Sequence, residues 1–179
     1  MHQKKETTSI FKLCTAALLL AIGILLPQVF HLVGGQAMGG MFLPMHIPVF
    51  IAGLLLGPSY GVAVGTITPL LSFLFTGMPP AAKLPFMLLE LLTYGLLSGL
   101  LRKRCPLFIS LIVAQVGGRL VNVLALLTAT YLLQLNVPPA VTVGTAVVTG
   151  VPGLAVQLIF IPAAVMLLEH VLPFTSRSR

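Results

Sequence analysis

The stretch Phe42–Pro80 reads FLPMHIPVFIAGLLLGPSYGVAVGTITPLLSFLFTGMPP and has no charged residue. The motif GPSY at residues 57–60 divides it into two apolar segments, which predict the second and third membrane helices of the chain. The second segment, residues 41–56, reaches about 24 Å as a helix, less than a hydrocarbon core of about 30 Å. The two segments are therefore either two short spans or a re-entrant pair, and both arrangements place His46 near a cavity.

The composition of the whole chain is that of a membrane protein. Of 179 residues, 58% are hydrophobic and 7% are charged, whereas about 25% of residues are charged in soluble domains. The net charge is +7, but the basic residues lie at the ends of apolar segments, which is typical of membrane orientation rather than of nucleic-acid binding. The two cysteines form neither a metal motif nor a disulfide framework. We expect one membrane domain over residues 1–179, with no metal site.

Six apolar segments predict an all-α integral membrane protein with six transmembrane helices. The first segment follows several lysines, as in a signal peptide, but no cleavage motif follows it, so we expect an uncleaved span. The predicted spans cover residues 9–31, 41–56, 61–77, 84–101, 106–135 and 141–172.

The distribution of basic residues predicts the orientation of these spans. With the N-terminus in the cytoplasm, the basic residues at the ends of the spans and between them fall on the cytoplasmic side, and Lys83 is the one exception. This bias predicts that both termini are cytoplasmic. The basic residues that this orientation places on the cytoplasmic side are Lys4, Lys5, Lys12, Arg102, Lys103, Arg104, Arg177 and Arg179.

Two charged residues, Glu90 and Arg119, lie well inside predicted spans, where a charge costs at least a few kcal/mol unless it has a partner or faces a cavity. Gln115 and Asn122 share one helix face with Arg119 because of their spacing. Two interpretations follow: a polar pocket open to the outside, or an ion pair that only fixes helix packing. The other candidate polar residues are Gln36 in the first outer loop, His46 at the outer start of the second span and Gln157 within the sixth.

Three common motifs of nucleotide- and metal-dependent enzymes are absent from the sequence. It contains no GxxxxGK phosphate loop, no HExxH and no zinc-binding cluster. It also has no aspartate, which excludes a Ser-His-Asp triad. We therefore expect a binding site without catalytic residues, without a cofactor and without its own energy source.

Four segments of the chain resemble one transporter family. The first span contains AALLLAIG at residues 16–23, and the glycine-rich sequence LVGGQAMGGMF follows at residues 32–42. The long stretch beginning at Phe42, followed by ELLTYGLLSGLL at residues 90–101, is similar to the substrate-binding S components of energy-coupling factor (ECF) vitamin transporters. The similar branch includes transporters of pantothenate, folate and cobalamin precursors, and the resemblance covers about Phe11 to Leu172.

The resemblance implies a function and a set of partners. An S component binds a vitamin with high affinity near the outer face of the bacterial cytoplasmic membrane, while a membrane coupling subunit and two cytoplasmic ATPases supply energy. Ala17 and Ala21 match the family's docking motif for the coupling subunit. The first outer loop of the family closes over the ligand, and its flexible positions here are Gly34, Gly35, Gly39 and Gly40.

The polar residues leave the substrate open. Arg119 would attract a carboxylate, Glu90 would accept hydrogen bonds from hydroxyl or amide groups, and neutral contacts would come from Gln115, Asn122 and Gln157. Pantothenate fits this set, a neutral precursor such as α-ribazole fits almost as well, and folate is a further candidate. The alternative functions are an intramembrane enzyme that uses His46 and Glu90, and a structural membrane-assembly protein.

Overall fold

The computed structural model describes residues 2–134 and 150–172, and the regular structure in those ranges is helical. Six helices there are long and apolar enough to cross a membrane, which confirms the predicted all-helical, six-span fold. The start of the predicted sixth span, residues 141–149, and the C-terminal tail lie outside the described residues. The helices are α1 (His2–Phe42), α2 (His46–Leu56), α3 (Pro58–Thr76), α4 (Leu84–Leu101), α5 (Leu107–Leu127, continued by a π-helical turn over Thr128–Leu132) and α6 (Val151–Val171).

Helix α1 is interrupted at two consecutive glycines. The backbone leaves helical geometry at Gly34 and Gly35, where φ is −139° and +65°. The positive φ at Gly35 is strained for residues with a Cβ atom, so glycine makes the break possible. The first candidate span ends there at Gly35, and the second runs from Met38 to Leu56 over 19 residues.

The prediction of a loop over residues 32–42 is wrong for most of that segment. Gly39 and Gly40 lie in a helical stretch that continues to Phe42. A glycine inside a helix costs only about 1 kcal/mol relative to alanine. In an apolar environment an unbonded backbone amide costs several kcal/mol, so the helix continues through both glycines.

Helix α2 is the centre of the bundle. It packs against each of the other five helices, and all its residues except Ile47 and Leu55 are buried. Its first backbone N–H, that of His46, donates to the carbonyl of Leu43, 3.0 Å away. Because α2 is surrounded by protein, the polar side chain at its start is held inside the molecule.

Glycines allow α2, α3 and α4 to approach closely. A Cβ atom on Gly95 would collide with the carbonyl of Gly61, and one on Gly53 would lie 2.7 Å from the carbonyl of Gly95. Glycines at helix crossings in membranes let backbones come into contact in this way. These glycines therefore pack internally, and they fix the part of α4 that carries Glu90.

Basic residues lie at both ends of α4. Arg102 at the end of α4 contacts Glu169 near the end of α6 at 2.9 Å, with both side chains partly exposed. Lys83 lies at the other end of α4, immediately before its first residue. The ion pair ties the last turns of α4 and α6 together at the end that carries the RKR motif.

Candidate functional site

The buried carboxylate of Glu90 is the centre of a polar cluster between α4 and α5. Tyr94 donates a hydrogen bond from its hydroxyl to Oε1 at 2.6 Å, and Asn122 donates from Nδ2 to Oε2 at 2.9 Å. Nη1 of Arg119 lies 3.1 Å from Oε1. Glu90 is only 4% exposed, so the three contacts compensate a charge that water does not reach.

His46 lies beside this carboxylate but does not form a hydrogen bond with it. Its Nε2 is 3.8 Å from Oε1 of Glu90, which is beyond hydrogen-bonding distance. The ring is 1% exposed, and its centroid is 5.4 Å from that of Tyr94. Among the described residues, neither ring nitrogen has a hydrogen-bond partner, and the same holds for Oδ1 of Asn122.

These unpartnered atoms are energetically unfavourable as they stand. A buried donor or acceptor without a partner costs about 1–3 kcal/mol, and three such atoms belong to His46 and Asn122. All three are next to a charged group in the membrane-spanning part of the chain. A polar ligand would supply the missing hydrogen bonds.

Tyr94 is a member of the cluster that the sequence analysis missed. It is fully buried, and its ring packs 4.6 Å from that of Phe50. Gly118 on α5 provides the space, because a Cβ atom there would collide with the Tyr94 ring. The spacing was a usable signal, since Tyr94 follows Glu90 by one helical turn on the same face.

A second polar group lies apart from Glu90. Gln115 donates from Nε2 to Oε1 of Gln157 at 3.3 Å, and Gln157 donates from Nε2 to the carbonyl of Leu43 at 3.2 Å. Both glutamines are buried. Gln115 shares a helix face with Arg119, yet its contacts connect α5 and α6 to the junction between α1 and α2 rather than to the Glu90 cluster.

Lys83 extends the charged face of α4. It precedes Glu90 by seven residues, so the two lie on one face about two turns apart. Burial lowers the pKa of Lys83, with Glu90 acting to raise it and Arg119 to lower it further. The sequence analysis treated Lys83 only as an exception in the orientation pattern and did not connect it with Glu90.

The first comparison with known proteins identifies the family. The profile of the family described as ECF transporter, substrate-specific component, matches residues 11–168. The chain belongs to this family. Comparisons with curated proteins and with solved structures gave no match. The chain is thus a multi-pass membrane protein and a substrate-specific component of an ECF transporter, which works with the membrane and ATPase subunits of the ECF module.

In this substrate-specific component, the two predicted docking residues lie on the exposed surface of the helical bundle. Ala17 and Ala21 are exposed, whereas Ala16 and Leu19 face the interior. The exposed pair continues in both directions with Leu13 and Leu25, each 63% exposed. The other helices in the described part of the chain leave this stripe of α1 uncovered.

The residues of the predicted first outer loop lie at the glycine break in α1 and directly after it. Gly34 and Gly35 form the break in α1, and Gly39 and Gly40 lie in the helical turns after it. The side chain of Gln36 lies outside the described part of the structure. No group of three or more potential metal ligands occurs among the described residues.

Proposed function

We propose that the chain is the high-affinity substrate-binding subunit of an ECF-type importer for a water-soluble vitamin or vitamin precursor. The observation that carries this proposal is the buried His46 ring, whose nitrogens lack partners beside the Glu90 carboxylate. A family of substrate-specific components needs a polar site inside an apolar bundle, and this cluster is such a site. The leading substrates are pantothenate and a cobalamin precursor such as α-ribazole, with folate as a further candidate.

The ligand would bind next to Glu90, Arg119 and Asn122 and complete the hydrogen bonding of His46. Tyr94 would hold the carboxylate in place through its hydrogen bond to Oε1. Gln115 and Gln157 would act at the edge of the site, where Gln157 holds the Leu43 carbonyl. Binding in this way replaces unsatisfied atoms with hydrogen bonds, which favours high affinity.

Access to the site would be controlled by the segment after the glycine break. Gly35 carries the positive φ on which the break depends, so rotation there would move the helical turns that contain Gly39 and Gly40. Gln36 belongs to the same segment. Movement of this segment would admit the ligand, and its return would exclude water.

The exposed stripe around Ala17 and Ala21 would dock the coupling subunit. Small side chains allow two membrane helices to approach closely, and the stripe faces away from the bundle. The two ATPases would act through that subunit in the bacterial cytoplasmic membrane. The chain itself would need neither a cofactor nor a catalytic residue.

The proposal is tested by identifying the small molecule that the protein carries. The protein is purified from cells grown in rich medium, and released metabolites are identified by mass spectrometry. His46→Leu should release less of the metabolite, with an affinity reduced about 5- to 150-fold, as expected for one to two lost buried hydrogen bonds. His170→Leu is the matched control because His170 is exposed and bonds only to the Met166 carbonyl among described residues. A wild-type protein that carries no metabolite would favour the structural-assembly alternative.

A second candidate function is an intramembrane enzyme. It is favoured by one observation, the 3.8 Å distance between Nε2 of His46 and the Glu90 carboxylate, since paired titratable groups can transfer protons. Turnover of a lipid or peptide by the isolated protein, without added ATPases, would support the enzyme. If uptake depends on the ECF module and the metabolite enters the cell chemically unchanged, the enzyme is excluded.

A further inference from the structure

The sequence leaves one positive charge uncompensated in the part of the chain that surrounds the site. Between Lys12 and Arg102 the charged residues are Lys83 and Glu90, and between Arg104 and Glu169 the one charged residue is Arg119. With histidines neutral, the sum is +1. Because Glu90 contacts Arg119 at 3.1 Å, the uncompensated charge is that of Lys83.

The position of Lys83 connects this charge to the cluster. Lys83 and Glu90 share a face of α4 and are separated by seven residues, a rise of about 10 Å, which is the length of a small metabolite. Lys83 is partly buried, and burial lowers its pKa. Among the described residues, no carboxylate forms an ion pair with its ammonium group.

The end of the site next to Glu90 offers neutral hydrogen-bonding groups. The neutral imidazole of His46 has one donor and one acceptor nitrogen, and Oδ1 of Asn122 is an acceptor. All three atoms are buried without partners. Hydroxyl and amide groups match this set, because each can donate to an acceptor and also accept.

We infer that the ligand of this site is a small monoanion, whose anionic group binds Lys83 and whose hydroxyl or amide groups bind His46 and Asn122. This inference rests on the proposed function and makes Lys83 a specificity-determining residue. Of the substrates considered above, pantothenate is a monoanion with hydroxyl and amide groups. In contrast, α-ribazole is neutral and folate has two carboxylates. A phosphate monoester with hydroxyl groups has related chemistry and is separated from a carboxylate by the test.

The test compares the wild-type protein with Lys83→Gln and Lys83→Arg. Each is purified from rich medium, and released metabolites are identified by mass spectrometry. The wild-type protein and Lys83→Arg should release one metabolite with a single anionic group, and Lys83→Gln should not. Lys103→Gln, which removes an exposed lysine at the opposite end of α4, is the matched control and should retain the metabolite. The mass of the metabolite shows whether its anionic group is a carboxylate or a phosphate.

Binding measurements with two defined probes give the size of the effect. The probes are pantothenate and its neutral alcohol analogue pantothenol, titrated into detergent-purified protein. We expect the wild-type protein to prefer pantothenate, and Lys83→Gln to bind it about 10- to 150-fold more weakly, as for a lost hydrogen bond to a charged group. Its affinity for pantothenol should not change. Monodisperse elution and an unchanged helical circular-dichroism spectrum establish that each variant is folded.

The outcomes separate the inference from the proposed function. If the wild-type protein releases no metabolite and binds neither probe, the proposed function fails. If it releases a metabolite without an anionic group, or if Lys83→Gln keeps a full load of an anionic one, the proposed function stands and the inference is overturned. Equal affinity of the wild-type protein for both probes would also overturn it, provided that pantothenate is the released metabolite.

Discussion

Arg119 on α5 lies 3.1 Å from the carboxylate of Glu90 on α4, and the two form an ion pair at the level of the His46 ring. Removing one partner of a buried pair leaves an uncompensated charge, which costs about 3–5 kcal/mol. Replacing both partners with neutral residues avoids that cost. The structural role and the ligand-binding role of the pair can therefore be measured separately.

We predict that Arg119→Met strongly lowers the melting temperature and that adding Glu90→Gln restores most of it. The double variant should still bind the co-purified ligand at least about 100-fold more weakly, since it has lost charge-assisted contacts in the site. Thermal unfolding and ligand titration of the three proteins measure both effects. A double variant with near-native affinity would show that the pair only fixes helix packing.

The contact between Tyr94 and Gly118 predicts a difference between neighbouring glycines. Gly118→Ala should destabilise the protein by about 1–3 kcal/mol, because the new methyl group would collide with the Tyr94 ring. Gly117→Ala should be milder, since it meets only the end of the flexible Leu97 side chain. Thermal unfolding in one detergent compares the two. Equal losses of stability would argue against close packing of Tyr94 on α5.

Exposed alanines on α1 should affect transport without affecting binding. Ala17→Phe or Ala21→Phe would prevent close approach of the coupling subunit, so uptake into cells should fall while the isolated variants bind ligand normally. Ala163→Phe, on an exposed face of α6, is the control and should transport normally. Lost ligand binding together with normal assembly would place the function of the alanine pair inside the bundle.

The glycine break predicts opposite effects at two positions. Gly35→Ala should destabilise the protein by about 1–3 kcal/mol and slow ligand association, because φ of +65° with ψ of −166° is a conformation that almost only glycine adopts. Gly40→Ala should be neutral or stabilise by up to about 1 kcal/mol, since it is helical and has open space around it. Stopped-flow binding and thermal unfolding test the pair. Slower association with Gly40→Ala and not with Gly35→Ala would move the hinge to the later glycines.

The orientation is tested with thiol labelling in intact cells. In a Cys14→Ser background, native Cys105 should be protected from an impermeant reagent, because the charge bias places it inside. Ala82→Cys, at an exposed position between α3 and α4, should be labelled. Labelling of Cys105 from outside would reverse the topology and the proposed direction of transport.

Much of the architecture followed from hydropathy and charge. Six apolar segments and the rarity of deep charges predicted the bundle and directed attention to Glu90 and Arg119, because a buried charge is costly enough to be informative by itself. The glycine-rich segment was misassigned since glycine composition does not distinguish a loop from a helix in an apolar environment. The exact break depends on one φ angle, at Gly35.

The composition of the cluster was less predictable. Tyr94 resembles an ordinary apolar residue until its hydroxyl is seen 2.6 Å from Glu90. Gln115 has the spacing to join Arg119, but it bonds instead to Gln157 on a distant segment. Helical periodicity determines which face a side chain occupies, whereas its partner depends on how the helices cross.

The short non-helical connection between α1 and α2, residues 43–45, also has an electrostatic consequence. Since α2 begins at His46, its amino end lies beside the Glu90 cluster within the bundle. The aligned peptide dipoles of a helix place about half a positive elementary charge at that end. The negative charge of the buried Glu90 carboxylate is thus stabilised by the main chain of α2 as well as by Arg119, and the main-chain part of this stabilisation does not depend on any side chain. A continuous helix through Leu43 and Pro44 would move that positive end away from the Glu90 carboxylate, because the effect is confined to the first turn of a helix.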